Sequence, residues 1–214
     1  MKLPIDLLLF DFDGTLTNSL PTAVKAIQLM LKELNLPDKT IEEINPHIGF
    51  GETALVSGSI GSRDPALVEK AKESYFRHAR ELAEEISLYP HIRDVLEFFK
   101  DKKMIIVSNK RDMLIHHILR LQNLAHYFSS VLGGDSASCL KPDPCAILEK
   151  LGKYQVEKSK AILVGDMTID VETGKNAGIH TCAVTYGFDN KAKLVAAKPD
   201  LLIDDLLELK ELIF

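Results

Sequence analysis

Two aspartates, Asp11 and Asp13, directly follow an apolar run in the segment LLLFDFDGT. Four apolar residues without alternation predict a strand that is buried on both faces. In extended chain, a spacing of two residues places both carboxylates on the same side, and Gly14 allows the backbone to turn away without a Cβ penalty. The pattern therefore predicts a carboxylate pair at the carboxyl end of a buried strand.

Polar groups also follow later apolar segments. MIIVSN ends in Ser108 and Asn109, and AILVGD ends in Asp166. Lys141 lies in the intervening segment CLKPDP, and Asp170 lies one helical turn beyond Asp166. Because the usable crevice of an open parallel sheet lies beyond the carboxyl ends of its strands, we expect these side chains to meet at one edge.

The site predicted at this edge is anionic on one side and cationic on the other. Two carboxylates ~4 Å apart repel by ~4 kcal/mol at an effective dielectric of ~20, so several of them together call for a cation. Ligands that are all oxygen favour the hard cation Mg²⁺ over zinc or copper. The expected Mg²⁺ ligands are Asp11, Asp13 and Asp166. Asp170 is expected to orient Lys141 and Asp166 from outside the ligand shell.

Ser108, Asn109 and Lys141 supply hydrogen-bond donors that suit a phosphoryl group. A lysine is a compact point charge, and Pro142 biases the backbone of Lys141 towards an extended form that projects the side chain. These residue types predict phosphoryl chemistry beside a bound Mg²⁺.

Apolar segments alternate with helical patterns in the second part of the chain. FSSVLGGD, TCAVTYG and LLIDD predict further strands, and apolar residues between strands recur at helical spacing, as at Ile92, Val95 and Phe99. Such alternation predicts an α/β fold, with a parallel sheet covered by helices on both faces.

This alternation is interrupted between residues 19 and 86, where no strand pattern occurs. Leu20, Val24, Ile27 and Leu31 recur at helical spacing instead. We therefore expect a core domain formed by residues 1–16 and 87–214, with an all-helical domain inserted at residues 17–86.

Composition restricts the partners of the protein. Lys+Arg 26 against Asp+Glu 31 gives a net charge of −5, which disfavours binding to nucleic acid. The first apolar run is shorter than the ~7–15 residues of a signal-peptide core or the ~20 of a membrane span. We expect a cytoplasmic protein that acts on a small molecule, as a monomer or homodimer, without membrane contact.

The cysteines are Cys139, Cys145 and Cys182, an odd number without metal-site spacing. This pattern predicts free thiols and argues against a disulfide framework or a zinc site.

Four motifs, taken together, resemble those of the haloacid dehalogenase superfamily. They are DFDGT, the serine of VSNK, the lysine of LKPDP, and GDMTID, in that order along the chain. The resemblance implies a Rossmann-like core in which Asp11 attacks phosphorus to form an aspartyl phosphate. It further implies that Asp13 protonates the leaving oxygen and then activates water.

The helical insertion between the first two motifs is similar to the cap of the phosphoglycolate phosphatase-like branch. This resemblance implies a Mg²⁺-dependent phosphatase of a small phosphorylated metabolite, with 2-phosphoglycolate as the first candidate substrate. Alternatives are a hexose-phosphate mutase similar to β-phosphoglucomutase, a pyrophosphatase or a nucleotidase. A phospho-aspartate signalling switch is disfavoured by the insertion and by the spacing of Asp11 and Asp13.

Overall fold

The structure is a computed structural model that describes residues 2–214. Its strands are β1 (Leu7–Phe10), β2 (Thr17–Asn18), β3 (Ser87–Leu88), β4 (Lys103–Val107), β5 (Ser130–Leu132), β6 (Ala161–Gly165), β7 (His180–Val184) and β8 (Leu201–Ile203). Its α-helices are α1 (Leu20–Glu33), α2 (Ile41–Ile44), α3 (Glu52–Ile60), α4 (Pro65–Glu81), α5 (Ile92–Phe98), α6 (Asp112–Leu121), α7 (Cys145–Tyr154), α8 (Thr168–Ala177), α9 (Lys191–Ala197) and α10 (Leu209–Leu212). None of the helices in this range is long and apolar enough to cross a membrane.

A six-stranded parallel sheet, in the order β5-β4-β1-β6-β7-β8, forms the centre of the fold. Strand β1 lies between β4 and β6, with Phe10 in register with Ile106 and Val164. After β1 the chain adds β4 and β5 on one side of this strand and then β6, β7 and β8 on the other side. The direction in which strands are added therefore reverses beside β1. Ligands bind at such a switch point, beyond the carboxyl ends of the strands.

Strand β1 is buried on both faces, as its unbroken apolar run predicts. Leu8 and Phe10 belong to one hydrophobic cluster, and Leu7 and Leu9 belong to another on the opposite face. Helices α5 and α6 contribute to the first cluster, and α7 contributes to the second. The predicted α/β fold with helices on both faces is therefore confirmed. The edge strands β5 and β8 are less buried, because each has a neighbour on one side only.

Helices α1 to α4 follow one another between β2 and β3 and have an apolar core of their own. Ile27 and Leu31 of α1 pack in this core with Leu55 of α3 and Tyr75 of α4. The prediction that residues 19–86 are all-helical is confirmed. Strands β2 and β3 pair antiparallel, so the chain enters and leaves this helical segment through two adjacent connections.

The prediction of three free thiols is wrong for two of the cysteines. Cys139 and Cys145 form a disulfide, while Cys182 is free and buried in β7. A turn in which the Asp143 N–H donates to the Leu140 carbonyl brings the two ends of the loop together. The Cα atoms of Cys139 and Cys145 are consequently 6.1 Å apart, within the range that a disulfide spans.

Candidate active site

The carboxyl ends of β1, β4 and β6 lie side by side in the sheet, and a polar residue follows each of them. Asp11 follows β1, Ser108 follows β4 and Asp166 follows β6, and all three are buried. A cavity of about 60 Å³ opens at this edge. Its lining includes Asp11, Asp13, Ser108, Asn109, Lys110 and Lys141 from the side of the sheet, and Gly49, Glu52, Leu55 and Tyr75 from the helical segment.

Asp11 is 5% exposed and lies at the base of this cavity. Its Oδ1 is 2.9 Å from Lys141 Nζ but accepts no well-directed hydrogen bond. Burial raises the pKa of Asp11 from 3.8 to about 7, with a contribution from the nearby Asp170, while Lys141 opposes the rise. Asp11 is therefore harder to ionise than a carboxyl group with an ordinary pKa.

Asp166 is fully buried, and groups from two other segments enclose its carboxylate. Its Oδ1 accepts a hydrogen bond from Thr15 Oγ1 at 2.8 Å, and its Oδ2 accepts one from the Phe188 N–H at 2.7 Å. A Cβ atom at Gly14 or at Gly187 would lie 2.2 Å from atoms of this side chain. Both positions therefore require glycine for the carboxylate to fit. Burial, together with Asp11 and Asp170, raises the pKa of Asp166 well above its ordinary value.

Asp170 holds the ammonium group of Lys141. Its Oδ1 accepts a hydrogen bond from Lys141 Nζ at 2.6 Å, and its Oδ2 accepts one from the Met167 N–H at 3.0 Å. The second bond caps the N-terminus of α8, where a negative charge is favoured by the helix dipole. Burial alone would lower the pKa of Lys141, but Asp11 and Asp170 outweigh it and raise that pKa, so the side chain stays charged.

The side chain of Asn109 holds the backbone of the Lys141 loop. Its Oδ1 accepts from the Lys141 N–H at 2.8 Å, and its Nδ2 donates to the Lys141 carbonyl at 3.1 Å and to the Gly49 carbonyl at 2.9 Å. The amide therefore joins β4, the lysine loop and the helical segment. The sequence-based role of Asn109 as a phosphate ligand stays a prediction, and the contacts of its side chain point to positioning. Ser108 is buried and lines the cavity with Lys141.

Asp13 lies outside the acidic cluster. Its Oδ1 accepts a hydrogen bond from Lys110 Nζ at 3.0 Å, and both residues line the cavity. The sequence singled out Asp13 but not Lys110, although this lysine directly follows Asn109 in the motif VSNK. Its position next to that motif is the signal that could have identified it.

The residues present fit a divalent cation. Asp11, Asp166 and Asp170 offer oxygens that all lie within 4.8 Å of one another. When all three of these buried carboxyl groups are ionised, they exceed the one buried ammonium of the cluster, that of Lys141, by two negative charges. This excess equals the charge of one Mg²⁺, and an all-oxygen donor set suits that ion. Asp170 already accepts a hydrogen bond from the Lys141 ammonium, whereas Asp166 accepts only from uncharged donors and Asp11 Oδ1 accepts none, so Asp11 and Asp166 are better placed to hold it.

An ion pair between Arg111 and Glu52 joins the two walls of the cavity, and the sequence did not predict it. The Arg111 Nη2 donates to Glu52 Oε1, and the guanidinium carbon lies 4.4 Å from the centre of the Phe76 ring. The other carboxylate oxygen, Glu52 Oε2, is buried without a hydrogen-bond partner. Burial raises the pKa of Glu52, and Arg111 opposes the rise. The two residues are 59 positions apart, so no local pattern could have paired them.

Comparisons with known proteins agree with this geometry. The family described as haloacid dehalogenase-like hydrolase matches residues 8–184. A phosphoglycolate phosphatase of Aliivibrio fischeri is 30% identical over 211 residues, which cover 94% of this chain and 93% of that protein. Another, from Vibrio parahaemolyticus, is 31% identical over 220 residues, covering 98% of this chain and 96% of that protein.

The structural comparison leads to the same family. A crystal structure of a predicted phosphoglycolate phosphatase from Haemophilus somnus superposes with a TM-score of 0.91, at 27% identity and over 97% of both chains. The match covers the sheet, the helical segment and the strand ends that carry the four motifs. The resemblance inferred from those motifs is confirmed, and the chain belongs to the haloacid dehalogenase-like hydrolases.

Proposed function

We propose that this protein is a Mg²⁺-dependent phosphatase that hydrolyses a small phosphomonoester, with 2-phosphoglycolate as the first candidate. The observation that carries the proposal is the position of Lys141 Nζ, 2.9 Å from Asp11 and 2.6 Å from Asp170, beside the excess negative charge of the cluster. An anionic nucleophile, a fixed cation and a place for a divalent ion are the parts that phosphoryl transfer needs. The names of the relatives support the choice of substrate.

In the proposed reaction, Lys141 and Ser108 bind the phosphoryl group at the base of the cavity. A carboxylate oxygen of Asp11 attacks phosphorus, and the bond from phosphorus to the leaving oxygen breaks. Asp13 enters this step as the carboxylic acid and gives its proton to that oxygen. As a carboxylate it then accepts a proton from the water that hydrolyses the aspartyl phosphate, which restores the acid for the next cycle. Mg²⁺, held by Asp11 and Asp166 with Asp13 near, would supply positive charge against the phosphoryl oxygens.

The proposal gives each supporting group a task. Asp170 fixes Lys141, Asn109 fixes the backbone of the lysine loop, and Lys110 holds the carboxylate of Asp13 at the cavity wall. Such support matters because a displacement of ~1 Å in a catalytic group can cost about 10²-fold in rate.

We further propose that residues 17–86 form a cap over a core domain made of residues 1–16 and 87–214. The helical segment has its own apolar core and supplies Gly49, Glu52 and Leu55 to the cavity wall. It is connected to the sheet through β2 and β3. A cap in this position would exclude bulk water during the first step.

The test is a panel of phosphomonoesters assayed with Mg²⁺, including 2-phosphoglycolate, hexose phosphates, nucleoside monophosphates and pyrophosphate. We expect phosphate release to be highest with 2-phosphoglycolate, and Asp11→Asn to reduce it by roughly 10³-fold or more. Transfer within glucose 1-phosphate without phosphate release would instead support a mutase. Full activity of Asp11→Asn would refute the mechanism.

A further inference from the structure

The disulfide between Cys139 and Cys145 closes a loop that contains Lys141. Both cysteines are half-buried, and Pro142 and Asp143 between them are exposed, whereas Lys141 is 7% exposed. One side of this loop therefore faces solvent while its lysine reaches into the site. Both cysteines are therefore partly exposed at the protein surface, outside the lining of the cavity.

Several hydrogen bonds fix the loop in addition to the disulfide. The Asp143 N–H donates to the Leu140 carbonyl at 2.9 Å, and Asn176 Nδ2 donates to the Pro142 carbonyl at 3.0 Å. Asn109 holds the backbone of Lys141 from the other side. Opening the cross-link would leave the position of Lys141 to these hydrogen bonds and to its ion pairs.

The third cysteine differs from this pair in a way that makes the chemistry selective. Cys182 lies in β7 and is 1% exposed, so a reagent in solution cannot reach it in the folded protein. A buried thiol in apolar surroundings is also chemically inert. Exchange with a thiol or disulfide in solution is therefore confined to Cys139 and Cys145.

We propose that Cys139 and Cys145 are a reversible oxidation site that controls how firmly Lys141 is held, an inference that rests on the phosphate-binding role of Lys141 in the proposed function. The reacting partner is a low-molecular-weight disulfide of the glutathione type. One protein thiolate attacks this disulfide, which forms a mixed disulfide and releases one small thiol. The second protein thiolate then displaces the other small thiol. Two protein thiols thus become one disulfide, and one small disulfide becomes two thiols.

The structure indicates that the disulfide form is the more active of the two redox states. In the disulfide form Lys141 is in place between Asp11 and Asp170. Reduction removes one restraint on the loop, so holding the lysine between Asp11 and Asp170 then costs more conformational entropy. We expect reduction to lower kcat/KM by roughly fivefold, which corresponds to about 1 kcal/mol.

The experiment compares the full-length protein after equilibration with oxidised glutathione and after dithiothreitol. Maleimide labelling under denaturing conditions, read by mass spectrometry, should find one free thiol in the first sample and three in the second. Phosphatase activity at 25 °C should fall on reduction and return when the same sample is reoxidised, which a loss of folded protein would not do. Cys139→Ser and Cys145→Ser should behave as the reduced protein in both buffers. Cys182→Ala is the matched control and should respond as the wild type does.

Several outcomes would overturn the proposal: three labelled thiols after oxidation, equal activities in both states, or serine variants that respond as the wild type does. If neither the oxidised nor the reduced protein releases phosphate from any phosphomonoester, the proposed function fails. The oxidation site is then tested by calorimetry, which measures the binding of inorganic phosphate with Mg²⁺ to each form. Weaker phosphate binding by the reduced protein would support the oxidation site, and equal binding would refute it.

Discussion

Lys141 donates a hydrogen bond to Asp170 at 2.6 Å, and both side chains are buried at the carboxyl ends of the central strands. A buried ammonium with a fixed carboxylate partner has a defined position, which an exposed lysine lacks. The other neighbour of this ammonium is Asp11, the proposed nucleophile. The pair therefore connects the N-terminus of α8 to the group that would react.

Asp170→Asn tests whether this pairing orients Lys141. The amide oxygen can still accept the Met167 N–H bond, so the cap of α8 is kept, but the charge that holds the ammonium is lost. We expect kcat/KM to fall by roughly 10- to 100-fold with little change in fold, as for other groups that orient a catalytic residue. Asp143→Asn, in the exposed part of the lysine loop, is the control. Unchanged kcat/KM in Asp170→Asn would contradict the positioning role.

Gly187→Ala tests the enclosure of Asp166. The new Cβ atom would lie 2.2 Å from the Cβ of Asp166, so the carboxylate must move. A shift of ~1 Å is sufficient to reduce activity by about 10²-fold, and we expect weaker Mg²⁺ activation as well. Kinetics as a function of Mg²⁺ concentration would measure both effects.

Gly152→Ala is the matched glycine control for that experiment. Gly152 lies in α7 with nothing within 4 Å of its would-be Cβ, so alanine there should leave activity unchanged. Alanine in a helix interior should also stabilise the protein by roughly 0.5–1 kcal/mol. Equal activity of both glycine variants would show that Asp166 needs no such enclosure.

Mg²⁺ should stabilise the protein more at pH 8 than at pH 5. In the metal-free protein, burial raises the pKa of Asp11 from 3.8 to about 7. The stability that this group contributes is fully present below pH 3.8 and is lost as the pH rises to about 7, because the unfolded chain ionises first. A bound dication would compensate that loss. Thermal melts with Mg²⁺ or with EDTA at both pH values measure the difference, and Asp166→Asn should abolish it. If Mg²⁺ shifts Tm equally at pH 5 and pH 8, the assignment of Asp11 as a Mg²⁺ ligand is contradicted.

Arg111→Met should destabilise the protein by roughly 1–3 kcal/mol, because it leaves the carboxylate of Glu52 buried without its cationic partner. Since the pair joins the helical segment to the sheet side of the cavity, we also expect a higher KM. Urea unfolding measures the free energy, with the exposed Arg120→Met as the control. A double-mutant cycle with Glu52→Gln should show a coupling between the two positions. Additive effects would mean that the ion pair contributes nothing.

Local sequence patterns determined the fold class and the edge of the sheet where the site lies. The run Leu7 to Phe10 could only be a strand covered on both faces, since alternation is absent, and the structure has that strand at the centre of the sheet. Asp11, Ser108 and Asp166 could be placed at one edge because the carboxyl ends of parallel strands coincide. The spacing of apolar residues within a strand and the polar residues that follow it are both local features of the sequence. They can therefore be recognised without knowledge of the tertiary structure.

Tertiary structure alone decided which side chains pair. Asn109 could not be assigned to the lysine loop, nor Arg111 to Glu52, because such pairs depend on how distant elements cross. The disulfide between Cys139 and Cys145 depends on a turn that the residue spacing does not show. The raised pKa of Asp11 likewise arises from burial and from Asp170, which only the packed fold brings near. Side-chain partners and electrostatic environment are set by three-dimensional proximity, which local periodicity does not encode.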